Sequence, residues 1–148
     1  MASLIENKKV RFDYEILETF EAGIELLGNE VKSIRNKQAS LEGSFVGIRG
    51  GEAFLIHAHI PPYQAKNTAK QYDPDRTRRL LLTKKELNQL VGEESKKGLT
   101  IVPLSMYNKG RVLKLQFGIA RKKKKFDKRD SIKKRETDRE IQRAMKNE

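Results

Sequence analysis

The sequence predicts a mainly β fold, a small barrel of about six short strands with flanking short helices and a basic C-terminal tail. Short stretches of alternating apolar and polar residues are separated by glycine turns, which is typical of small barrels and sandwiches. Beyond Ala120 the alternation stops and a run of charges begins. The chain of 148 residues has room for one core plus a tail. We therefore divide it into a barrel domain, 1–120, and a tail, 121–148.

The first strand is predicted to begin at Phe12, because apolar residues alternate with polar ones from there to Phe20. Residues 1–9 show no such alternation and are predicted to form a loose lead-in. Further along, Asn29 is suited to cap a short helix that reaches about Asn36.

A hairpin is predicted next, with strands at 45–49 and 53–60 joined by Gly50-Gly51, which supplies the positive φ angles of a tight turn. Residues 63–79 are polar and without period, and they contain two tyrosines and five basic residues. A loop of this length is usually functional or mobile. Besides the basic tail, this loop is therefore a second candidate surface for a polyanion such as nucleic acid.

The clearest helix signal is the capping box formed by Thr83 and Glu86, in which each side chain can satisfy a backbone N–H at the helix start. Gly98 is placed to close this helix. The signal concerns structure and says nothing about function.

Two more strands are predicted at 99–107 and 111–120, joined by a turn at 108–110. Pro103 interrupts the first of them, which indicates an edge strand or a bulge. In the second, four large apolar residues share one face: Leu113, Leu115, Phe117 and Ile119.

The charge of the chain points to a polyanionic partner. Its 32 basic and 20 acidic residues give a formal net charge of +12, of which residues 121–148 carry +7. Nucleic acid is the favoured partner, since the tail has no large apolar face for a membrane surface and no stretch is apolar enough to span one. The absence of cysteine excludes disulfides and fits a cytoplasmic protein.

The tail begins with five basic residues, 121–125, followed by the aromatic Phe126. Cations for phosphates and a flat ring for a base suit nucleic acid, whereas a solvated basic tail is the alternative. Its few apolar residues share no helical face, but opposite charges recur at helical spacing. We expect the tail to be disordered when free and helical against a partner.

Catalytic and metal chemistry are not indicated. His57 and His59 lie on one strand face, but two ligands are too few for zinc. Asp73 and Asp75 flank a proline, which is more typical of a turn than of acid–base catalysis. We expect no enzyme activity and no cofactor.

Ordered motifs occur along nearly the whole chain: Asn7-Lys8-Lys9, Gly28-Asn29-Glu30-Val31-Lys32, Asp73-Pro74-Asp75-Arg76, Arg79-Leu80-Leu81-Leu82, Gly98-Leu99-Thr100-Ile101-Val102-Pro103-Leu104 and Phe126-Asp127-Lys128-Arg129. Together they resemble the SsrA-binding protein (small protein B) family, which partners transfer-messenger RNA (tmRNA) in bacterial ribosome rescue. Lys122 departs from the pattern, since the family usually has glycine there.

The resemblance implies an oligonucleotide-binding-type (OB) barrel that binds the tRNA-like domain of tmRNA. It implies delivery with elongation factor Tu and alanyl-tmRNA to a stalled ribosome, where the tail occupies the vacant decoding centre and mRNA channel of the small subunit. We expect a monomer without membrane association. Composition leaves open a rival, a general OB-fold RNA-binding or ribosome-assembly protein, which the ordered motifs disfavour.

The resemblance also implies two sets of site residues. The RNA-binding set comprises Asn7, Lys8, Lys9, Glu30, Lys32, Arg35, Leu82, Arg121, Lys122 and Lys123. The ribosomal decoding-site set comprises Phe126, Asp127, Lys128, Arg129, Ile141, Met145 and Lys146. Within the first set, a carboxylate such as Glu30 on a basic surface would accept hydrogen bonds from base N–H groups.

Overall fold

The computed structural model describes residues 3–63 and 71–124. Within them, seven strands form one antiparallel sheet, in the order β1-β6-β7-β2-β5-β4-β3, with three short helices. The strands are β1 (Ser3–Glu6), β2 (Tyr14–Ile24), β3 (Phe45–Arg49), β4 (Glu52–Ile56), β5 (Arg78–Leu81), β6 (Leu99–Lys109) and β7 (Val112–Lys122). The helices are α1 (Lys8–Asp13), α2 (Gly28–Arg35) and α3 (Lys84–Glu94).

The mainly β fold is confirmed, but the sheet does not close into the predicted small barrel. The sheet curls until β3 contacts β6, yet no ladder of hydrogen bonds joins these strands in the described residues. Helix α3 packs against both of them. Its Glu94 carboxylate accepts the Ile48 N–H of β3 at 3.0 Å, so a helix occupies the edge that closure would have paired.

The main core draws buried apolar residues from all seven strands of the sheet. The alternation predicted for β7 is confirmed, because Leu113, Leu115, Phe117 and Ile119 are all buried. The rings of Phe20 and Phe117 stack with centroids 5.6 Å apart, as their direct pairing across β2 and β7 requires. Leu90 of α3 completes this core from outside the sheet.

The predicted loose lead-in is wrong. Residues 3–6 form β1, which pairs with the free edge of β6, and α1 follows at once. Phe12 therefore lies in a helix, and the strand predicted to start there begins at Tyr14. Pairing with a strand about one hundred residues away is a non-local interaction, which local periodicity does not report.

The capping box of α3 is confirmed, since Thr83 Oγ1 accepts the Glu86 N–H at 3.2 Å and the Glu86 carboxylate accepts the Thr83 N–H at 3.1 Å. The helix ends at Glu94, before the predicted closing residue Gly98. Helix α2 begins at Gly28, with Leu27 as its N-cap instead of Asn29.

Strand boundaries differ from prediction in the middle of the chain. The glycine turn is confirmed, with φ of 58° at Gly50 and 76° at Gly51. Strand β4 ends at Ile56 because His57 adopts a φ of 64°, which is not a strand conformation. Strand β5 was missed, because it begins inside the predicted 63–79 loop.

The register of β6 against β7 shifts between Pro103 and Ser105. Of the two alternatives predicted at Pro103, an edge strand or a bulge, the structure shows the bulge. Strand β7 runs on to Lys122, with Glu15 opposite Arg121 and Tyr14 opposite Lys122. Residues 125–148 lie outside the described residues, so the expectations for the tail stay predictions. No helix in the described ranges is long and apolar enough to cross a membrane.

Candidate nucleic-acid interface

The side chain of Glu30 is the centre of an internal polar network. Glu30 lies in the first turn of α2, where its Oε1 accepts the Leu27 N–H at 2.8 Å. Arg76 donates through Nε to Oε2 at 3.0 Å and through Nη2 to Oε1, which makes a bidentate ion pair. Arg78 adds Nε at 2.9 Å and Nη2 at 2.6 Å, both to Oε2. The Glu30 side chain is completely buried.

Arg78 is buried as fully as its partner. It is the first residue of β5 and points to the core face, where its Nη1 donates to the Ala58 carbonyl at 2.6 Å and its Nη2 to the Pro74 carbonyl at 3.0 Å. The Tyr72 hydroxyl lies 2.9 Å from Glu30 Oε2 and 2.7 Å from the Ile60 carbonyl. The network thus ties the 71–78 segment to α2 and to the chain that follows β4.

The network determines the protonation state of Glu30. Burial alone would raise its pKa, but the hydrogen bonds from Arg76, the Leu27 N–H and Arg78 outweigh burial and lower it to about 2. Burial and the neighbouring carboxylate raise the pKa of the Tyr72 hydroxyl, which therefore remains a donor. Glu30 is consequently ionised at neutral pH and fully engaged.

This arrangement gives Glu30 a different position from the one supposed from the sequence. A carboxylate with two arginines, a backbone N–H and a tyrosine hydroxyl around it, and with no exposed surface, does not offer oxygens to an RNA base in this conformation. The signal that identifies Glu30 is present in the sequence, but the partners Arg76 and Arg78 lay in a stretch read as an open loop. Side chains two residues apart on a strand share a face, so the buried Leu80 indicates that Arg78 also lies on the buried face.

A cleft of about 600 Å³ opens beside this network. One wall is the start of α2, and the other is the 71–76 segment that Glu30 holds in place. Its lining residues are Leu27, Gly28, Asn29, Lys32, Gln71, Tyr72, Asp73 and Arg76. Lys32 is exposed, and its ammonium lies 5.9 Å from the centroid of the Tyr63 ring, so this cation lies close to an aromatic face.

The N-terminal members of the predicted RNA-binding set divide into two kinds. Asn7 is buried, and its Nδ2 donates to the carbonyls of Leu41 at 3.2 Å and Pro103 at 3.1 Å. Its Oδ1 accepts the Val10 N–H at 3.3 Å and caps α1. Lys8 and Lys9, by contrast, are exposed. The Lys9 ammonium lies 3.7 Å from a Glu42 carboxylate oxygen, a long ion pair.

Leu82 lies directly between β5 and α3 and is partly buried, packed against the main core. It belongs to the N′ position of α3, before the Thr83 cap, where with Leu87 it can form a hydrophobic staple. Its side chain is therefore held by the fold and presents only a limited surface.

The predicted cations lie in two separate places. Arg35 is at the end of α2, where its Nη2 donates to the Arg111 carbonyl at 2.9 Å, just before β7. At the other end of β7, Lys122 pairs with Tyr14 and the Lys123 N–H donates to the Asp13 carbonyl at 2.8 Å. An 11-residue strand spans about 33 Å, so one patch is far from the other.

We call the exposed cations of α2, Lys32 and Arg35, the first patch. The second patch combines α1 with the end of β7. The exposed cations Lys8, Lys9 and Lys122 belong to it, and Lys123 is half-buried beside them. Arg121 is also exposed but forms an ion pair with Glu15 at 2.7 Å. Lys122 lies in a regular strand and not at a positive φ, so a lysine in place of the family's glycine causes no backbone strain.

The histidines show a simple pairing. His59 Nδ1 lies 2.9 Å from Asp75 Oδ1, and both side chains are about half exposed. His57 lies near Phe45, with ring centroids 5.8 Å apart. No group of three or more potential ligands occurs among the residues the structure describes.

The fold and these two patches define a small, basic β-sheet protein with cations displayed from both ends of a long central strand. A sequence model of the SmpB protein family matches residues 4–147, which is nearly the whole chain. The chain belongs to this family.

The curated relatives that the chain matches are SsrA-binding proteins. The SsrA-binding protein of Gloeothece citriformis is 52% identical over 143 residues, which cover 97% of this chain and 92% of the relative. That of Enterococcus faecalis is 48% identical over 144 residues, covering 97% and 93%. That of Elusimicrobium minutum is 51% identical over 141 residues, covering 95% and 89%.

A solved structure described as "tmRNA-SmpB: a journey to the center of the bacterial ribosome" matches with a TM-score of 0.68 and 48% identity. The match covers 81% of this chain and 84% of that chain. At this identity, the likeness extends beyond the fold to the sequence that forms it.

Proposed function

We propose that this protein binds the tRNA-like domain of tmRNA and acts in trans-translation on the ribosome. The observation that carries the proposal is the match, at 48% identity, to a chain of a tmRNA–SmpB structure. The relatives that share about half of their residues with this chain are SsrA-binding proteins, and their alignments cover 95% or more of it. The proposal includes the ribosome and alanyl-tmRNA with elongation factor Tu as partners, and the cytoplasm as the site of action.

The cations proposed to contact RNA lie in the two basic patches. The first, around α2, carries Lys32 and Arg35, and the second, around α1 and the end of β7, carries Lys8, Lys9 and Lys122. Phosphate contacts by lysine and arginine orient a folded RNA without reading its sequence. Patches at opposite ends of an 11-residue strand suit a partner of extended, rigid shape such as the arm of a tRNA-like fold.

Glu30 supports binding through other residues. It fixes Arg76 and the wall of the cleft beside Lys32, so we assign it as a positioning residue. Asn7 and Leu82 are likewise assigned to holding α1 and the β5–α3 connection. The exposed cations are the members of the predicted set that would touch RNA.

The tail is proposed to act on the ribosome. Its sequence places Phe126 and Asp127-Lys128-Arg129 directly after the second patch, and Ile141, Met145 and Lys146 near the chain end. An RNA-bound body would deliver this tail to the vacant decoding centre. No chemical step is assigned to the protein, whose contribution is binding and placement.

An RNA pull-down with the full chain tests the proposal. The purified protein is incubated with total RNA from a bacterium, washed at about 150 mM salt, and the bound RNA is sequenced. One dominant tRNA-like species is expected. A broad spectrum of RNAs, without enrichment of tmRNA, would instead favour a general RNA-binding or ribosome-assembly protein.

A further inference from the structure

The cleft between α2 and the 71–76 segment has the composition of a site for one base. Its lining residues include the aromatic Tyr72 and the basic Lys32 and Arg76. Gln71 adds an amide that can both donate and accept hydrogen bonds. Its volume of about 600 Å³ is ample for a nucleobase with its ribose.

We propose that this cleft receives a single unpaired nucleobase of the bound RNA, with the base on the Tyr72 ring and the adjoining phosphate at Lys32. The inference rests on the proposed RNA-binding function and deepens it. It adds Tyr72, Gln71 and Arg76 to the residues that contact RNA, none of which belongs to the predicted site set.

The wall of the cleft is ordered before any ligand arrives. The Tyr72 hydroxyl is held 2.9 Å from Glu30 Oε2 and 2.7 Å from the Ile60 carbonyl, which fixes the position of the ring's outer end. Two hydrogen bonds to Glu30 fix the Arg76 guanidinium beside it. A preordered ring and guanidinium lose little conformational entropy on binding, and both are flat surfaces on which a base stacks.

The charges at the cleft match a nucleotide. Asp73 is the one acidic residue among those that line it, and its Oδ1 already accepts the Asp75 N–H at 2.9 Å within the turn. Lys32 is exposed on the opposite side and next to the Tyr63 ring. A ligand with a flat ring and a neighbouring negative charge satisfies the rings and the lysine together.

The base must be unpaired. In an A-form duplex the base faces are covered by their neighbours, and only edges and 2′-hydroxyls are presented in the wide groove. A stacking wall such as Tyr72 is reached only by a base turned out of its helix, as in the loops of a folded RNA. The cleft therefore adds selectivity for loops, which the lysines alone do not give.

A matched pair of variants of the full chain tests the proposal. Tyr72→Phe and Tyr72→Leu both lose the hydroxyl that meets Glu30, but only Tyr72→Leu loses the ring. Titration with a tmRNA transcript at fixed salt is expected to show Tyr72→Phe binding like the unmodified protein and Tyr72→Leu binding about five- to a hundred-fold more weakly, the range for one lost base–aromatic stack. Equal affinities of the two variants would overturn the cleft as a base site.

A second measurement does not depend on either variant folding. A tetranucleotide that contains 2-aminopurine is added to the isotope-labelled protein, and the side-chain amide signals of Gln71 are followed by NMR. Selective shifts there, with quenching of 2-aminopurine fluorescence, are expected. Lys32→Gln should weaken this binding, whereas Lys97→Gln, an equal change of charge at an exposed lysine outside the cleft, should not.

The base site and the proposed RNA-binding function are tested by different outcomes. If the unmodified protein binds tmRNA but Gln71 signals do not move with the tetranucleotide, the base site is wrong and the proposed function stands. If the unmodified protein does not select tmRNA over a duplex RNA of equal length, the proposed function itself is wrong.

Discussion

Glu30 and Arg78 form an ion pair from which solvent is fully excluded, with Oε2 and Nη2 2.6 Å apart and both side chains completely buried. Such a pair is costly to desolvate and is retained where its partners are all satisfied. Other contacts of the two side chains join distant parts of the chain, because Arg78 also donates to the Ala58 carbonyl and Glu30 also binds Arg76. The pair therefore determines how α2, β5 and the intervening segment sit together.

Breaking this pair should destabilise the fold strongly. Arg78→Met removes both hydrogen bonds from Arg78 to the Glu30 carboxylate and leaves the buried Ala58 carbonyl without its guanidinium donor. Arg76, the Leu27 N–H and Tyr72 still contact Glu30, so the expected loss is about 3 kcal/mol in the free energy of unfolding, the lower end of the range for a broken buried pair. Arg79→Met is the matched control, because the neighbouring Arg79 is 44% exposed and its ion pairs with Glu25 and Glu52 are worth less than about 1 kcal/mol. Urea unfolding of both variants measures the difference, and similar midpoints would contradict a structural role for the buried pair.

Acid should unfold the protein partly through Glu30. Its folded-state pKa of about 2 lies below the ordinary value of 4.5, so ionised Glu30 stabilises the fold at pH above 4.5 and this stability is lost as the pH falls toward 2. A shift of that size corresponds to roughly 3 kcal/mol. Unfolding free energies measured at intervals from pH 6 to 2 should fall across this window.

The control for the acid prediction is Glu30→Gln, which removes the titrating group. This variant starts less stable at pH 6, since Arg78 loses its counter-charge, but its stability should fall less steeply between pH 4.5 and 2. Parallel curves for the two proteins would show that other carboxylates, such as Glu21, whose pKa is lowered by Tyr107 and Lys109, account for the acid sensitivity.

Asn7 and Lys8 should separate folding from RNA contact. Asn7→Ala removes a helix cap and leaves the Leu41 and Pro103 carbonyls without its amide, so a loss of about 2–3 kcal/mol in stability is expected. Lys8→Gln removes an exposed cation and should leave the melting temperature unchanged. It should instead reduce the slope of log affinity against log salt by about 0.7–0.9. An unchanged slope would place Lys8 outside the RNA interface.

The sequence predicted the parts of the fold that local pattern determines. The alternation of β7, the capping box at Thr83 and the glycine turn at Gly50 all follow from neighbours in the chain, and all are confirmed. Strand β1 and the open edge of β3 depend on β6 and α3, distant in sequence, and there the predictions failed. The same distinction applies to the polar network: the local motif singles out Glu30, but it does not indicate its partners Arg76 and Arg78, which lie 46 and 48 residues away.

Phe126 should act in the decoding region by stacking on a base. It lies outside the described residues, and the prediction rests on its position between a lysine run and Asp127-Lys128-Arg129. Stacking is worth about 1–3 kcal/mol, so Phe126→Ala should cut tagging of stalled peptides roughly ten-fold or more. Phe126→Tyr should retain most activity, and neither variant should change affinity for isolated tmRNA. A melting temperature lowered by several degrees in Phe126→Ala would show instead that the ring anchors the tail to the body.

Two truncations should locate the junction between the body and the tail. Ending the chain at Ala120 removes Arg121 and Lys122 from β7, together with the Arg121–Glu15 ion pair and the Lys123 N–H bond to Asp13. The expected cost is about 1–3 kcal/mol, because each hydrogen bond contributes about 0.5–1.5 kcal/mol and exposed ion pairs less. Ending the chain at Lys124 keeps all of these contacts and should leave thermal stability unchanged. This longer body should still bind isolated tmRNA with a modest loss of affinity, since both basic patches remain, while tagging of stalled peptides disappears. If the 1–124 protein does not bind tmRNA at all, the tail and not the sheet carries the RNA affinity, and the proposed division of labour is wrong.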